Sequence, residues 1–303
     1  MSLAGAEALE LSLEGAGDSA SLRKEAWRRL RRNPSAIVGF ALIVVFVLVA
    51  VFAPLLAPYS PRDCDLTNIR PGRVPGPSSA HWFGLDQNGC DELSRIIYGA
   101  RYSLVIGVVS LLIGATVGVG VGLLAGAFGG WVDNLLMRLM DIMLAIPGLL
   151  FAIGVAALLG RSLKSVMIAI GVVNVPTFAR LLRSSMLAQR SSDYVLAARA
   201  IGVRRWRIVT AHVLPNSMAP VIVYGTLALA TAIIDAAGLA FLGLGSPDPG
   251  VPEWGRMLAE TQRFLSSSPQ LAFFPGMAIV LSVLGFNLLG DALREVLDPK
   301  LRR

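Results

Sequence analysis

This chain is short of charge, of cysteine and of every common signature for binding nucleotide or metal, and each shortage excludes something. Of its 303 residues only 16% are charged, while 54% are hydrophobic. Soluble domains do not have that balance, nor a mean hydropathy of +0.65. The apolar residues cluster in runs long enough for the ~20 residues that a spanning helix needs. No Walker A sequence appears, so the chain carries no recognisable means of hydrolysing ATP itself. No zinc-ligand spacing and no GxSxG pattern appear either, so no metal and no catalytic residue is assigned. The net charge of +7 does not imply nucleic acid. The basic residues sit mainly at the ends of apolar runs, where they set orientation in a membrane.

Taken in order, residues 1–34 form a cytoplasmic tail. Its first 20 residues are small, polar and acidic (Glu7, Glu10, Glu14, Asp18) and lack the basic and apolar regions of a signal peptide. They read as disordered. A cluster of Arg23, Lys24, Arg28, Arg29, Arg31 and Arg32 then precedes a first span in 35–57, about Ser35–Leu56. Residues 58–102 are rich in Pro, Gly and polar groups and read as an extracytoplasmic loop. Five more spans fill a core domain over 103–293, at about Ser103–Phe128, Asn134–Leu159, Ser165–Met186, Ser217–Leu242 and Leu271–Leu289. Residues 294–303 end the chain. The expected fold is an all-α membrane protein of six transmembrane helices. Both termini are placed in the cytoplasm, because the N-terminal cluster, Arg199 to Arg207, Arg294, Lys300, Arg302 and Arg303 lie on one side. Scattered Arg62, Arg70, Arg73, Arg256 and Arg263 lie on the other.

Several spans carry residues that need an explanation. Gly114, Gly118, Gly122, Gly126 and Gly130 recur every four residues in and just after the second span, a stripe where a neighbouring helix can approach closely. Helix packing accounts for them without any transport role. In the third span, Arg138 can snorkel to the interface, and Pro147 should kink the helix. The fourth span ends at Arg180 and Arg183, so its last turns are expected to project from the membrane. An aspartate at membrane depth costs about 2.5–3.5 kcal/mol on insertion scales. Asp235 in the fifth span therefore belongs in the bundle interior or at a subunit interface. It is either a packing residue, paired with Asn174 or Asn287, or part of a translocation path. Asp235, Asn174 and Asp141 are the path candidates. Cys64 and Cys90, the only cysteines, both fall in loop 58–102. A disulfide is feasible in an oxidising compartment, and two separate thiols fit the sequence as well.

Between the fourth and fifth spans lies YVLAARAIGVRRWRIVTAHVLPN, Tyr194–Asn216. Ala197, Ala198, Ala200 and Ile201 give a short helix with a small-residue face. Gly202 ends it, since glycine reaches positive φ freely. A second short helix carries Arg204, Arg205, Arg207 and Trp206, and Pro215 is expected to stop it. By composition this is an ordinary basic cytoplasmic loop. As a bent cationic helix pair it can also fill a groove on a soluble partner.

The spacing Ala197-Ala198, Gly202, Leu214-Pro215 resembles the EAA loop of ABC importer permeases, with Leu196 where Glu is usual and His212 where Ile is usual. Three further stretches resemble the peptide-importer branch. Within HWFGLDQNGCDELSRIIYGARYSL (His81–Leu104), Phe83, Gly84, Asp86, Gly89, Asp91, Leu93, Ser94, Arg95 and Tyr98 to Arg101 match FGTDxxGRDxLSRxxYGAR. Cys90 replaces the usual Arg. FLGLGSPDPGVPEWGRML (Phe241–Leu258) resembles FLGLGxxPPxPxWGxML, with Asp248 at a frequent Pro, and NLLGDALREVLDPKLRR (Asn287–Arg303) resembles the family's tail. The chain thus resembles the C-type permease subunits of dipeptide and oligopeptide ABC importers.

The resemblance implies a type I ABC importer permease fold with the first span at its periphery. It implies a B-type permease partner, ATPase subunits that bind ATP and Mg²⁺, and an extracytoplasmic peptide-binding protein. No cofactor is implied in this chain. Segment 194–215 would be the coupling loop, with Ala197, Ala198, Gly202, Arg205, Trp206, Leu214 and Pro215 as its ATPase-coupling residues. Related permeases for nickel, haem or glutathione resemble this one too. A proton-driven secondary transporter is the alternative from another class. It would want a relay of intramembrane carboxylates, for which Asp141, Asp235 and Asp291 are available, but no inverted repeat is visible. A structural membrane subunit without a pathway is the third reading.

Overall fold

The computed structural model describes residues 27–69 and 74–297. The acidic tail, Arg23, Lys24, Arg70, Arg73, Lys300, Arg302 and Arg303 lie outside them. The described residues are helical apart from loops and two isolated β-bridges. The helices are α1 (Pro34–Val51), α2 (Glu92–Phe128), α3 (Gly130–Leu144), α4 (Gly148–Leu159) and α5 (Leu163–Gln189). The short α6 (Asp193–Ala200) and α7 (Arg205–Ile208) follow, then α8 (Leu214–Phe241), α9 (Trp254–Thr261) and α10 (Gln270–Leu297). Among the described residues five helices, one of them (α8) extended back to Arg205, are long and apolar enough to cross a bilayer, and the bent pair α3–α4 is a sixth if counted as one span.

Proline behaves differently here from the sequence expectation in two places. Pro147 does not merely kink the third span. The chain breaks over Ala145–Pro147, and α3 and α4 meet at 91°. Proline has no N–H for the helix ladder, and it pushes the preceding residue, Ile146, out of the α region. Pro215 does not stop α7. A π turn at Val209–Val213 joins α7 to α8, with the Leu214 N–H reaching back to the Val209 carbonyl. Pro215 then sits in the first turn of α8, where a missing N–H is tolerated.

The second helix packs along α5, the most buried span of the chain. A Cβ on Gly118 would lie 2.5 Å from Phe178 Cβ and 2.6 Å from the Val175 carbonyl oxygen. At Gly114 and Gly122 it would lie 2.8 and 2.5 Å from the carbonyl oxygens of Gly171 and Ala179. With no hydrophobic drive between helices in lipid, such backbone-to-backbone approach is what dispersion needs. The stripe ends at Gly126 against Met186. Gly130, expected to continue it, has nothing within 4 Å and stands in the α2–α3 turn at φ +58°. The first helix is peripheral. Its most apolar window is 17% buried, and it rests on α10 and α2, with Gly39 against the backbone of Gly285 and Leu289.

Candidate functional site

Two polar regions stand at opposite ends of α2. One is a cap of loops around its first turns, and the other is the elbow, Asp193–Leu214, near its last.

The elbow is packed on one side and bare on the other. Val195, Ala198, Ile208, Val209 and Val213 are buried with Phe178, Leu182 and Met186 of α5 and Val221 and Ala228 of α8. Apolar side chains buried this way are worth about 1.5–3 kcal/mol each, which seats the elbow firmly on the bundle. Gly202 makes the bend at φ +79°, and nothing lies within 4 Å of where its Cβ would be. Only backbone conformation calls for glycine there. On the outer side Leu196, Ile201 (81% exposed) and Trp206 (63%) carry apolar surface into the open. Ala197 and Pro215 are exposed too, and Leu214 is half-buried. Arg205 is exposed as well, and its Nη2 donates back to the carbonyls of Ala127 (2.7 Å) and Phe128 (3.0 Å) at the end of α2.

The path candidates do not form one cluster. Asn174 donates to the Ile170 carbonyl at 2.9 Å and accepts from the Tyr224 hydroxyl at 3.3 Å. Neither of the two partners the sequence offered for Asp235, Asn174 or Asn287, is hydrogen-bonded to it among the described residues. Asp235 is half-buried and has no hydrogen bond or ion pair among the described residues. Tyr224 and Asp235 are 11 residues apart, three helical turns along one face of α8. Asp141 is not free for a relay, because Arg180 pairs with it. Arg183 likewise takes Asp133, through bonds of 2.5 and 2.7 Å. Arg180 and Arg183 thus staple α5 to α3. Opposite charges placed in neighbouring spans were the signal for these pairs, since ions at that depth seek partners.

At the other end, Asp91 caps α2 by accepting from the Ser94 N–H at 2.8 Å, while His81 Nδ1 lies 2.9 Å from the same carboxylate. Cys64 and Cys90 are joined as a disulfide. Arg95, 1% exposed, faces Asp86 at 3.1 Å as an ion pair without hydrogen-bond alignment, and its Nη1 donates to the Pro249 carbonyl at 3.2 Å. Glu260 accepts from Gln87 (2.6 Å) and from Arg256 (2.7 Å). Trp254, also 1% exposed, donates from Nε1 to the Ile96 carbonyl at 3.0 Å. Burial pushes Asp86 above the usual carboxylate range, with Arg95 opposing. Burial also raises Glu253, the N-cap of α9, to about 7, against bonds from the Gly255 and Arg256 amides. Sequence reasoning did not single out Glu253, because Glu is not among the usual N-cap residues.

The described residues are a membrane-type helical bundle with a bare apolar elbow at one end and a polar cap at the other. Residues 118–303 match the family described as the binding-protein-dependent transport system inner membrane component, and residues 21–73 match the N-terminal transmembrane domain of oligopeptide transport permease C. The chain belongs to that permease family and is a multi-pass inner membrane component of an ABC importer. It is 47% identical over 279 residues to the dipeptide transport system permease protein DppC of Alkalihalophilus pseudofirmus, covering 92% of this chain and 90% of the relative. It is 42% identical over 282 residues to the glutathione transport system permease protein GsiD of Pectobacterium atrosepticum, covering 92% and 91%. In fold it is similar to the inward-facing MetNI methionine ABC transporter, with a TM-score of 0.56, 18% identity, and coverage of 67% of this chain and 97% of that one. The proton-driven reading does not survive this membership.

Proposed function

We propose that this chain forms half of the translocation pathway of an ATP-driven importer of dipeptides and short oligopeptides. The elbow faces the cytoplasm and docks on an ATPase subunit, where ATP and Mg²⁺ are bound. A B-type permease supplies the other half of the path. A peptide-binding protein delivers substrate at the cap, on the extracytoplasmic side. The observation that carries the coupling role is the two-sided elbow. Its inner side is part of the core, while Trp206 and Ile201 expose apolar surface in a segment joined to two spans. Such surface marks an interaction site, and force applied there reaches α5 and α8 directly. The peptide substrate is favoured by the likeness to the dipeptide permease. Glutathione, itself a tripeptide, is the second reading, favoured by the likeness to the glutathione permeases.

The experiment is ATP-dependent uptake by the reconstituted complex, for wild type and Gly202→Val. Valine at φ +79° strains the bend without touching a neighbour. Uptake should collapse while the complex still assembles and hydrolyses ATP. Normal transport by Gly202→Val removes the coupling role. Competition between a labelled dipeptide and glutathione decides the substrate.

A further inference from the structure

We infer that Arg205 and Arg190 clamp the elbow to the end of α2, so that motion of the elbow is delivered along one rigid helix to the cap. This rests on the coupling role proposed above. The last carbonyls of a helix have no partner within it. At the end of α2 the Gly129 N–H takes the Ala125 carbonyl, and Gly129 and Gly130, both at positive φ, turn the chain away. The carbonyls of Ala127 and Phe128 are left to two arginines. Arg190 Nη2 and Arg205 Nη2 each lie 2.7 Å from the Ala127 oxygen, and Arg205 also reaches Phe128 at 3.0 Å. Two guanidinium groups on one oxygen repel each other. Burial, then the charges of Arg205 and Arg199, lower the pKa of Arg190. The negative end of the α2 dipole offsets that repulsion, so the three helix ends at this point hold one another.

The second helix can transmit what it receives. It runs unbroken for 37 residues, about 55 Å at 1.5 Å per residue. Its glycine stripe fixes it to the backbone of α5. Its first turns are keyed into the cap: Trp254 fills the space a Cβ on Gly99 would need, at 2.6 Å, and bonds to the Ile96 carbonyl. Elbow and cap are then two ends of one rod, and a ligand that biases one end must bias the other.

The test uses the full complex with its binding protein. It measures ATP hydrolysis with and without the loaded binding protein, and peptide imported per ATP. For Arg205→Ala the stimulation by binding protein should fall about tenfold, within the usual range of coupling between sites. Arg205→Lys keeps the charge but ends the side chain one bond short of the Nη2 that reaches both carbonyls, so its ratio should fall too. If the alanine variant does not assemble, the lysine variant decides. Arg190→Ala combined with Arg205→Ala should cost less than the sum of the two, because both bond the same oxygen. An unchanged ratio, or equal loss of basal and stimulated hydrolysis, overturns the clamp. If Gly202→Val still uncouples in that case, the coupling role stands without it. If neither variant uncouples, the coupling role itself falls.

Discussion

The guanidinium of Arg183 grips the carboxylate of Asp133 through two bonds across 50 residues of chain. Beside it Arg180 holds Asp141, 39 residues away. The later Asp takes the earlier Arg, so α3 and α5 run antiparallel where they are stapled. The arrangement holds α3 in place just before the break at Pro147. Asp133→Asn leaves the half-buried Arg183 without its counter-charge, and should cost roughly 1.5–3 kcal/mol, the worth of a hydrogen bond to a charged group. Thermal unfolding in detergent of Asp133→Asn, Arg183→Met and the double variant checks this. The double variant should lose less than the two singles added together, and strict additivity contradicts the pairing.

The glycines of α2 make an internally controlled prediction. Gly118→Val drives a side chain into Phe178 and the Val175 carbonyl, whereas Gly120 has nothing within 4 Å of its Cβ position. The first substitution should prevent stable assembly, as overpacking at a backbone contact costs roughly 1–3 kcal/mol or more. Gly120→Val should leave the melting temperature nearly unchanged. Equal behaviour of the two variants contradicts the packing scheme.

Joining Cys64 to Cys90 closes a loop across 26 residues and ties the segment after α1 to the start of α2. Cys64→Ser should destabilise the cap by about 2–4 kcal/mol. Protein denatured without reductant should take up no alkylating reagent by mass spectrometry. Two labelled thiols under those conditions mean that the bridge does not form.

Glu253 makes the cap sensitive to pH. Its ordinary value is 4.5 and burial raises it to about 7. Between those values the folded protein holds a proton that the unfolded chain has lost, so stability falls as pH rises through the window and levels off above about 7. The loss is on the order of 3 kcal/mol. Buried Asp86, also raised, adds in the same direction. Glu253→Gln should flatten the dependence, followed by the fluorescence of Trp254 during melting at pH 5 and pH 8. A slope as steep in the variant as in the wild type assigns the effect elsewhere.

Asp235 sits in a span with no hydrogen-bond or ion-pair partner among the described residues. If it meets the ammonium group of a passing peptide, the contact must be weak enough to release it. A contact of ~1 kcal/mol corresponds to roughly fivefold. Asp235→Asn should lower peptide uptake by about that factor with assembly intact. Unchanged uptake by a normally assembled variant leaves only a packing role.

What the sequence alone determined is what depends on neighbours along the chain. Apolar runs mark the spans because the bilayer demands about 20 such residues. Gly202 marks the bend because few other residues reach positive φ. The run of apolar and basic residues after it marks the elbow. Even the cap of α2 is legible, in Asp91 three residues before Ser94. What only the tertiary structure decided is every pairing made through space. Pro147 favours an interruption, yet Pro176, Pro220 and Pro275 stay inside their helices, and the 91° angle reflects α4 and α3 both packing on α5. Pro215 looks like a stop, yet a π turn carries the helix past it. Arg205 reads as a surface cation until the end of α2, 78 residues earlier, is brought beneath it. Local conformation follows from bonds and sterics within a few residues. The partner of a charge follows from which helix ends meet, and that is set by packing the whole bundle.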